Sequence, residues 1–291
     1  MWLGGWVKVK IGTRGSKLAR LQARRVSEKI KKVDDSLKIE IVVIETSGDR
    51  GKGGGTGKFV KEINRAVHRG EVDIGVHSLK DLPTKIPEEV VLASFPERLT
   101  PNDVLVSSDG DSFRELPSNS VIGTGSPRRR SEISYLRSDL KFEDIRGNVD
   151  TRIEKIESGD KYDALVTSMA ALERLGFREK ADYQFSFREI VPAAGQGTLG
   201  VVSRRDDEKV DFLSSIDDGN VNIASISERA FLEELGLGCR SGVGAVAEVG
   251  EDLIKITSVL HEGGSRNIAM ISGKEPEKLG REAARRLKIE R

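Results

Sequence analysis

Asp81 closes a run of four groups able to move protons or hold charge, with His77, Ser78 and Lys80, in Val-Asp-Ile-Gly-Val-His-Ser-Leu-Lys-Asp-Leu-Pro (72–83). Val72, Ile74 and Val76 alternate with Asp73 and Gly75, which predicts a short buried strand, and Pro83 ends regular structure just beyond it. In open α/β sheets ligands bind past the carboxyl ends of strands, although turns are also polar for conformational reasons alone. An acid placed there could shuttle a proton or stabilise a transient cation. Lys80 suits either a Schiff base or a contact to a ligand carboxylate. His77 has no histidine or cysteine partner at metal-ligand spacing, so no metal is expected.

A second constellation is cationic. In Gly123-Thr-Gly-Ser-Pro-Arg-Arg-Arg, Ser126 is a natural N-cap and Pro127 suits the first helical position. Arg128, Arg129 and Arg130 then crowd the first turn, where the helix dipole is already positive. Such a turn either binds an anion through N–H groups and guanidinium forks, or is a solvated basic face paired with Glu132 and Asp139. Arg146 and Arg152 follow the next strand, and Arg14 occupies the matching turn near the start of the chain. Together they suit a ligand carrying several carboxylates or phosphates, and Asp81 is the one carboxylate expected in that setting. Cys239 lies in Gly-Leu-Gly-Cys-Arg-Ser-Gly (236–242), where it is either an inert small residue or a thiol made reactive beside Arg240.

Elements that could position these groups are legible in the hydrophobic pattern. The 291 residues exceed one ordinary core. Strands are expected at 7–12, 38–45 (buried on both faces), 72–76 and 198–203, with a helix capped by Ser16 and another closed by Gly70. Ile11-Gly-Thr-Arg-Gly-Ser-Lys recurs approximately as Ile122-Gly-Thr-Gly-Ser-Pro-Arg. Asp73-Ile-Gly-Val-His-Ser-Leu has a counterpart in Asp163-Ala-Leu-Val-Thr-Ser-Met, so two similar α/β lobes are expected, with a ligand held in a cleft between them. The strand at 198–203, after Gly195-Gln-Gly, is expected to rejoin the first lobe. Strand-like runs at 243–249, 252–260 and 266–272 form a separate α+β domain with the last helix. Six glycines between 48 and 57 make either a lid or a plain loop, and the stretch lacks the ending of a P-loop.

Bulk numbers exclude several classes. Basic and acidic residues nearly cancel, 48 against 47, so no global field draws the protein to nucleic acid or membrane. No apolar run approaches the roughly 20 residues of a membrane helix, and the first residues are not patterned as a secretory leader. One cysteine excludes internal disulfides and suits a cytoplasmic location.

Seven segments in this order resemble the hydroxymethylbilane synthase (porphobilinogen deaminase) family. They are Ile-Gly-Thr-Arg-Gly-Ser-Lys-Leu-Ala (11–19), Phe-Val-Lys-Glu (59–62), Val-His-Ser-Leu-Lys-Asp-Leu-Pro (76–83), Gly-Thr-Gly-Ser-Pro-Arg-Arg (123–129), Arg-Gly-Asn-Val-Asp-Thr-Arg (146–152), Gly-Gln-Gly (195–197) and Gly-Cys-Arg-Ser-Gly (238–242). The resemblance implies two periplasmic-binding-protein-like α/β lobes, 1–99 with 198–216 and 100–197, plus a C-terminal α+β domain, 217–291. It implies a dipyrromethane cofactor joined by a thioether to Cys239 and contacted by Lys80, Ser126, Arg128, Arg129 and Arg146. Porphobilinogen would be held by Arg14, Ser16, Arg152, Gly195 and Gln196, with Asp81 as the catalytic carboxylate. Four porphobilinogen molecules would be joined head to tail with loss of ammonia, passing through oligopyrrole intermediates, before the linear tetrapyrrole is hydrolysed off. A cytoplasmic monomer of porphyrin and heme biosynthesis is implied. Departures from the family pattern are Thr56 for a common lysine, Gly125 for a common serine, and Arg240-Ser241-Gly242 for Gln-Val-Pro. The competing reading is a non-catalytic two-lobed binder of a polyanion.

Overall fold

The computed structural model describes residues 8–45, 57–159, 161–205, 207–236 and 242–289. Most of the glycine-rich stretch at 48–57, and Cys239 with its neighbours Arg240 and Ser241, lie outside the described residues. In chain order the first strands and helices are β1 (Lys8–Thr13), α1 (Lys17–Val33), β2 (Lys38–Val43), α2 (Gly57–His68), β3 (Ile74–Ser78), β4 (Val90–Ser94), β5 (Asp103–Ser107), β6 (Val121–Gly123) and α3 (Pro127–Leu136). Then follow β7 (Lys141–Glu143), α4 (Val149–Glu157), β8 (Ala164–Ser168), α5 (Met169–Leu175), β9 (Tyr183–Gln184) and β10 (Leu199–Arg204). The chain finishes with α6 (Gly219–Leu235), β11 (Gly242–Val249), β12 (Ile254–Glu262), β13 (Ser265–Gly273) and α7 (Pro276–Ile289). Two compact units result, Met1–Arg98 with Thr198–Asn222, and Leu99–Gly197 with Ile223–Arg291.

The first unit is an α/β lobe whose sheet runs β2-β1-β3-β10-β4. β1 pairs in parallel with β2 and β3, while β10 returns antiparallel between β3 and β4, as the sequence pattern at 198–203 predicts. Val9, Ile11, Ile74, Val76 and Val201 are buried with Val26 and Ile30 of α1. Each such side chain contributes about 1.5–3 kcal/mol when fully buried. Gly75 lets α2 lie close on β3, because a Cβ there would meet Ile63 Cγ2 at 2.7 Å. One expectation fails. β2 is an edge strand, half-exposed along its length, with Val43 41% accessible. Ile39 and Ile41 pack on one face and Val42 and Ile44 on the other, but only partly because one side of the strand has no neighbour, and a continuous hydrophobic stretch does not reveal which strand stands at the edge.

Within the second unit the sheet β7-β6-β8-β5-β9 repeats that plan, with β6 parallel to β7 and β8 and with β5 antiparallel to β8. The internal repeat extends to single hydrogen bonds. Asp73 accepts from Lys10 N at 2.7 Å and donates its own N–H to Lys10 O; Asp163 does the same with Val121 N at 2.5 Å and Val121 O. Gly70 and Gly159, at φ 71° and 68°, close α2 and α4 in the left-handed region that glycine alone enters freely. The same unit holds the antiparallel sheet β11-β12-β13 with α7, packed through Phe231, Leu235, Ile256, Ala283 and Leu287. No helix among the described residues is long and apolar enough to cross a membrane.

Candidate active site

Because β1 and β3 are parallel neighbours, with Ile11 opposite Ile74 and Gly12 opposite Gly75, their carboxyl ends emerge at the same sheet edge. The β1 turn carries Arg14 and Ser16. Ser16 caps α1, its Oγ accepting from Ala19 N at 3.3 Å, while Thr13 Oγ1 donates to Ala19 O at 3.1 Å. The β3 turn is one 3₁₀ turn, Leu79–Asp81, closed by Leu82 N donating to Leu79 O, after which Pro83 cannot continue it. Leu79 N donates to Thr198 O, which fixes the turn to the chain entering β10. Ser78 Oγ accepts from Gln22 Nε2 of α1 at 2.8 Å.

Asp81 is the chemically poised member of this set. Burial pushes its carboxyl pKa above the ordinary value, against the pull of Lys80 and Arg14. An acid so balanced can hold a proton at higher pH than a surface aspartate. His77, four residues earlier, is buried with Nε2 3.1 Å from Asn64 Oδ1 of α2. Desolvation, with Arg14 adding to it, lowers its pKa to about 4, so it is neutral and ties α2 to β3.

That depression sets a pH dependence. The folded ring titrates at about 4 and the unfolded ring near 6.5, so stability present above pH 6.5 is lost as pH falls toward 4. Between pH 7.5 and 4.5 the wild-type chain loses about 2–3 kcal/mol more than a His77→Gln variant. Urea unfolding of both at the two pH values measures it; parallel losses would show that the ring is not desolvated.

In the second unit the arginine turn has a partner absent from the sequence reading. Asp103, the first residue of β5, is completely buried between two guanidinium groups. Arg128 Nη1 donates to its Oδ2 at 2.6 Å and Arg129 Nε to its Oδ1 at 2.9 Å. Gln196 Nε2 donates to Oδ1 at 3.0 Å and to Pro101 O at 2.7 Å. Burial opposes ionisation, but the two arginines and Gln196 prevail and hold the carboxyl far below the usual range. Asp81 is therefore not the one carboxylate set among arginines, which corrects the expectation. Nor is this turn a solvated face: Arg128 and Arg129 are buried, while Arg130 reaches out to Asp144 at 2.9 Å. Glu132 points inward to Arg266 Nε at 2.6 Å and Val191 N at 2.9 Å, and Asp139 pairs with Arg137 instead.

Ser126 caps α3 as its type predicts, accepting from Arg129 N at 3.4 Å. Arg152, in the first turn of α4, donates Nε to Gly147 O at 2.8 Å, and burial together with the charge of Arg129 lowers its pKa. Arg146 is exposed beside it after β7, and its carbonyl accepts from Lys155. Gly195 adopts φ 76° and leads Gln196 to Asp103. Thus Arg14, Ser16, Lys80 and Asp81 share one sheet edge in the first lobe, while Ser126, Arg128, Arg129 and Gln196 meet around Asp103 in the second. The sequence signal for Asp103 is a charged residue opening the otherwise apolar run Val-Leu-Val.

Comparison with known proteins bears on these two clusters. Residues 9–211 match the family model "Porphobilinogen deaminase, dipyromethane cofactor binding domain", and 222–288 match that family's C-terminal domain. The chain belongs to the porphobilinogen deaminase family. It is 39% identical over 288 residues to the "Probable porphobilinogen deaminase" of Pyrobaculum neutrophilum, covering 96% of this chain and 97% of that one. The Brevibacillus brevis "Porphobilinogen deaminase" is 40% identical over 257 residues, covering 86% of this chain and 82% of that protein. Among solved structures, the methionine binding protein MetQ is similar at a TM-score of 0.46 with 13% identity, over 74% of this chain and 92% of that one.

A dipyrromethane carries carboxylate side chains, and the described residues of this porphobilinogen deaminase family member fit such a group. Asp103 neutralises one of the two charges of Arg128 and Arg129, so one cationic charge is left in the cluster. Burial, with the charge of Arg129 adding to it, lowers the pKa of Arg152, so the two cations repel each other where solvent screens them only in part. An anionic ligand would relieve both.

Proposed function

We propose that this chain is a hydroxymethylbilane synthase, joining four porphobilinogen molecules head to tail with loss of ammonia and then releasing the linear tetrapyrrole by hydrolysis. The observation that carries this reading, within a chain of this family, is the half-buried acid Asp81 in the turn after β3, its pKa raised by burial against the pull of Lys80 and Arg14. A dipyrromethane bound through Cys239 supplies the pyrrole onto which substrate is joined. Lys80, Ser126, Arg128, Arg129 and Arg146 bind its carboxylates, and Arg14, Ser16, Arg152, Gly195 and Gln196 bind porphobilinogen. As the C–N bond of the protonated aminomethyl group of porphobilinogen breaks, nitrogen leaves as ammonia with the bonding electron pair and positive charge passes to the pyrrole. Asp81 offsets that charge as a carboxylate and accepts the proton displaced when the new C–C bond forms. A non-catalytic polyanion binder would have no use for such an acid.

The same reading takes the chain as three domains, 1–99 with 198–216, 100–197 and 217–291, working as a cytoplasmic monomer on porphobilinogen and its oligopyrroles. Two measurements test it together. The denatured holoprotein should weigh more than its 31.9 kDa chain by two pyrrole units, with the added mass on the peptide containing Cys239. Incubation with porphobilinogen should release ammonia in step with its disappearance. A bare-chain mass with no ammonia release would leave only the binder.

A further inference from the structure

We infer that Glu228, on α6, is a positioning residue for Gln196 and thereby for the Asp103–Arg128–Arg129 cluster. The inference rests on the proposed function for its catalytic meaning, though its geometry stands apart from it. Glu228 is completely buried, and its two carboxyl oxygens accept from separate segments: Gly195 N at 2.6 Å and Ala247 N of β11 at 2.7 Å. One side chain thus joins α6, β11 and the strap at 191–197. That strap is gripped from its other side by α3. Arg128 Nη1 donates to Val191 O at 2.7 Å, and Val191 N donates to Glu132 Oε1 at 2.9 Å, from residues one helical turn apart. Ala245 N adds a bond to Pro192 O at 2.9 Å. Gly195 and Gly197, at φ 76° and 84°, give the strap a left-handed turn on each side of Gln196, and a Cβ at 197 would overlap Leu99 O.

Such a double glycine turn does not choose its own conformation, because glycine populates both signs of φ. Glu228 holds it on one side through Gly195 N, as Arg174 Nη2 and Leu99 N hold it on the other through Gly197 O. With the turn held, Gln196 reaches Pro101 O and Asp103 Oδ1 with Nε2, and Arg129 Nη2 lies 3.5 Å from its Oε1. The orientation of Gln196 therefore sets how Asp103 is shared and which Arg129 N–H groups face a ligand. A glutamine at 228 has one acceptor oxygen, so its amide would present N–H to a backbone N–H and one of the two bonds that fix this side chain between the turn and β11 would be lost.

The experiment follows side-chain amide exchange in protein labelled with ¹⁵N-glutamine, comparing wild type, Glu228→Gln and Glu228→Asp. Gln196 should exchange about tenfold faster in Glu228→Gln and by a smaller factor in Glu228→Asp, which keeps both acceptors. Gln22, whose amide donates to Ser78 in the other unit, should be unchanged, so general loosening is distinguished. If Glu228→Gln does not fold, Glu228→Asp alone carries the comparison. Equal acceleration of Gln196 and Gln22, or none, overturns the inference. In turnover, Glu228→Gln should raise KM for porphobilinogen about tenfold with kcat within twofold, and should add nothing in a Gln196→Ala background. Full additivity also overturns it. A wild-type chain that consumes no porphobilinogen removes the proposed function instead, and the exchange result still judges Glu228.

Discussion

Asp81→Asn lowers kcat for porphobilinogen consumption by about three orders of magnitude and leaves the chain at least as stable as wild type at neutral pH. The two halves of this result have one cause. Burial disfavours the ionised carboxyl, raising its pKa above the free value of 3.8. The sign follows directly. An acid with a raised folded pKa costs stability as pH rises from 3.8 through the folded value, and the penalty persists above it. Asparagine keeps the shape and carries no charge, so the penalty goes, and with it the ability to take or offset a proton. The adduct proposed on Cys239 stays in place, because Asp81 is not its attachment. Ammonia release and thermal unfolding, measured on the same preparation, check both halves. An active Asp81→Asn enzyme removes this residue from the chemistry, and an inactive but destabilised one makes it a structural acid.

Asp103→Asn has the opposite signature and costs about 3–5 kcal/mol of stability at neutral pH. Removing the carboxylate leaves Arg128 and Arg129 buried without a counter-charge, and the amide that replaces it can accept at one oxygen only. Wild-type Asp103 has a folded pKa well below 3.8, so its contribution is complete above that pH and is lost as pH falls toward the folded value. The variant lacks that acid-side slope. Urea unfolding at pH 7 gives the magnitude and a series below pH 4 gives the slope. A loss under about 1 kcal/mol would mean that solvent reaches the two guanidinium groups, contrary to their burial.

Local signals carried much of the architecture. Ser16 and Ser126 cap helices because a hydroxyl just before an N-terminus meets free N–H groups wherever the helix lies. Gly70 and Gly159 close theirs because a left-handed residue is a local need. The Asp73/Asp163 repeat was legible since both lobes use the residue in the same hydrogen bonds with their own first strand. Asp81 stood out because the strand, the turn and Pro83 are contiguous. Family membership likewise followed from ordered motifs, each readable in place.

Tertiary structure decided where the charges go. The arginines of α3 crowd a positive helix end in any context, but their partner Asp103 lies 25 residues earlier in sequence for Arg128 and arrives only through β5 packing beside β8. Glu132, which looks like a surface residue beside arginines, pairs with Arg266 across 134 positions of chain. Glu228 meets Gly195 and Ala247 only after α6 and β11 have packed. The edge position of β2 likewise depends on strand order, which an apolar run does not encode. Periodicity in a sequence reports which face of an element is dry; the pairing of buried charges depends on which elements become neighbours, and long-range packing alone settles that.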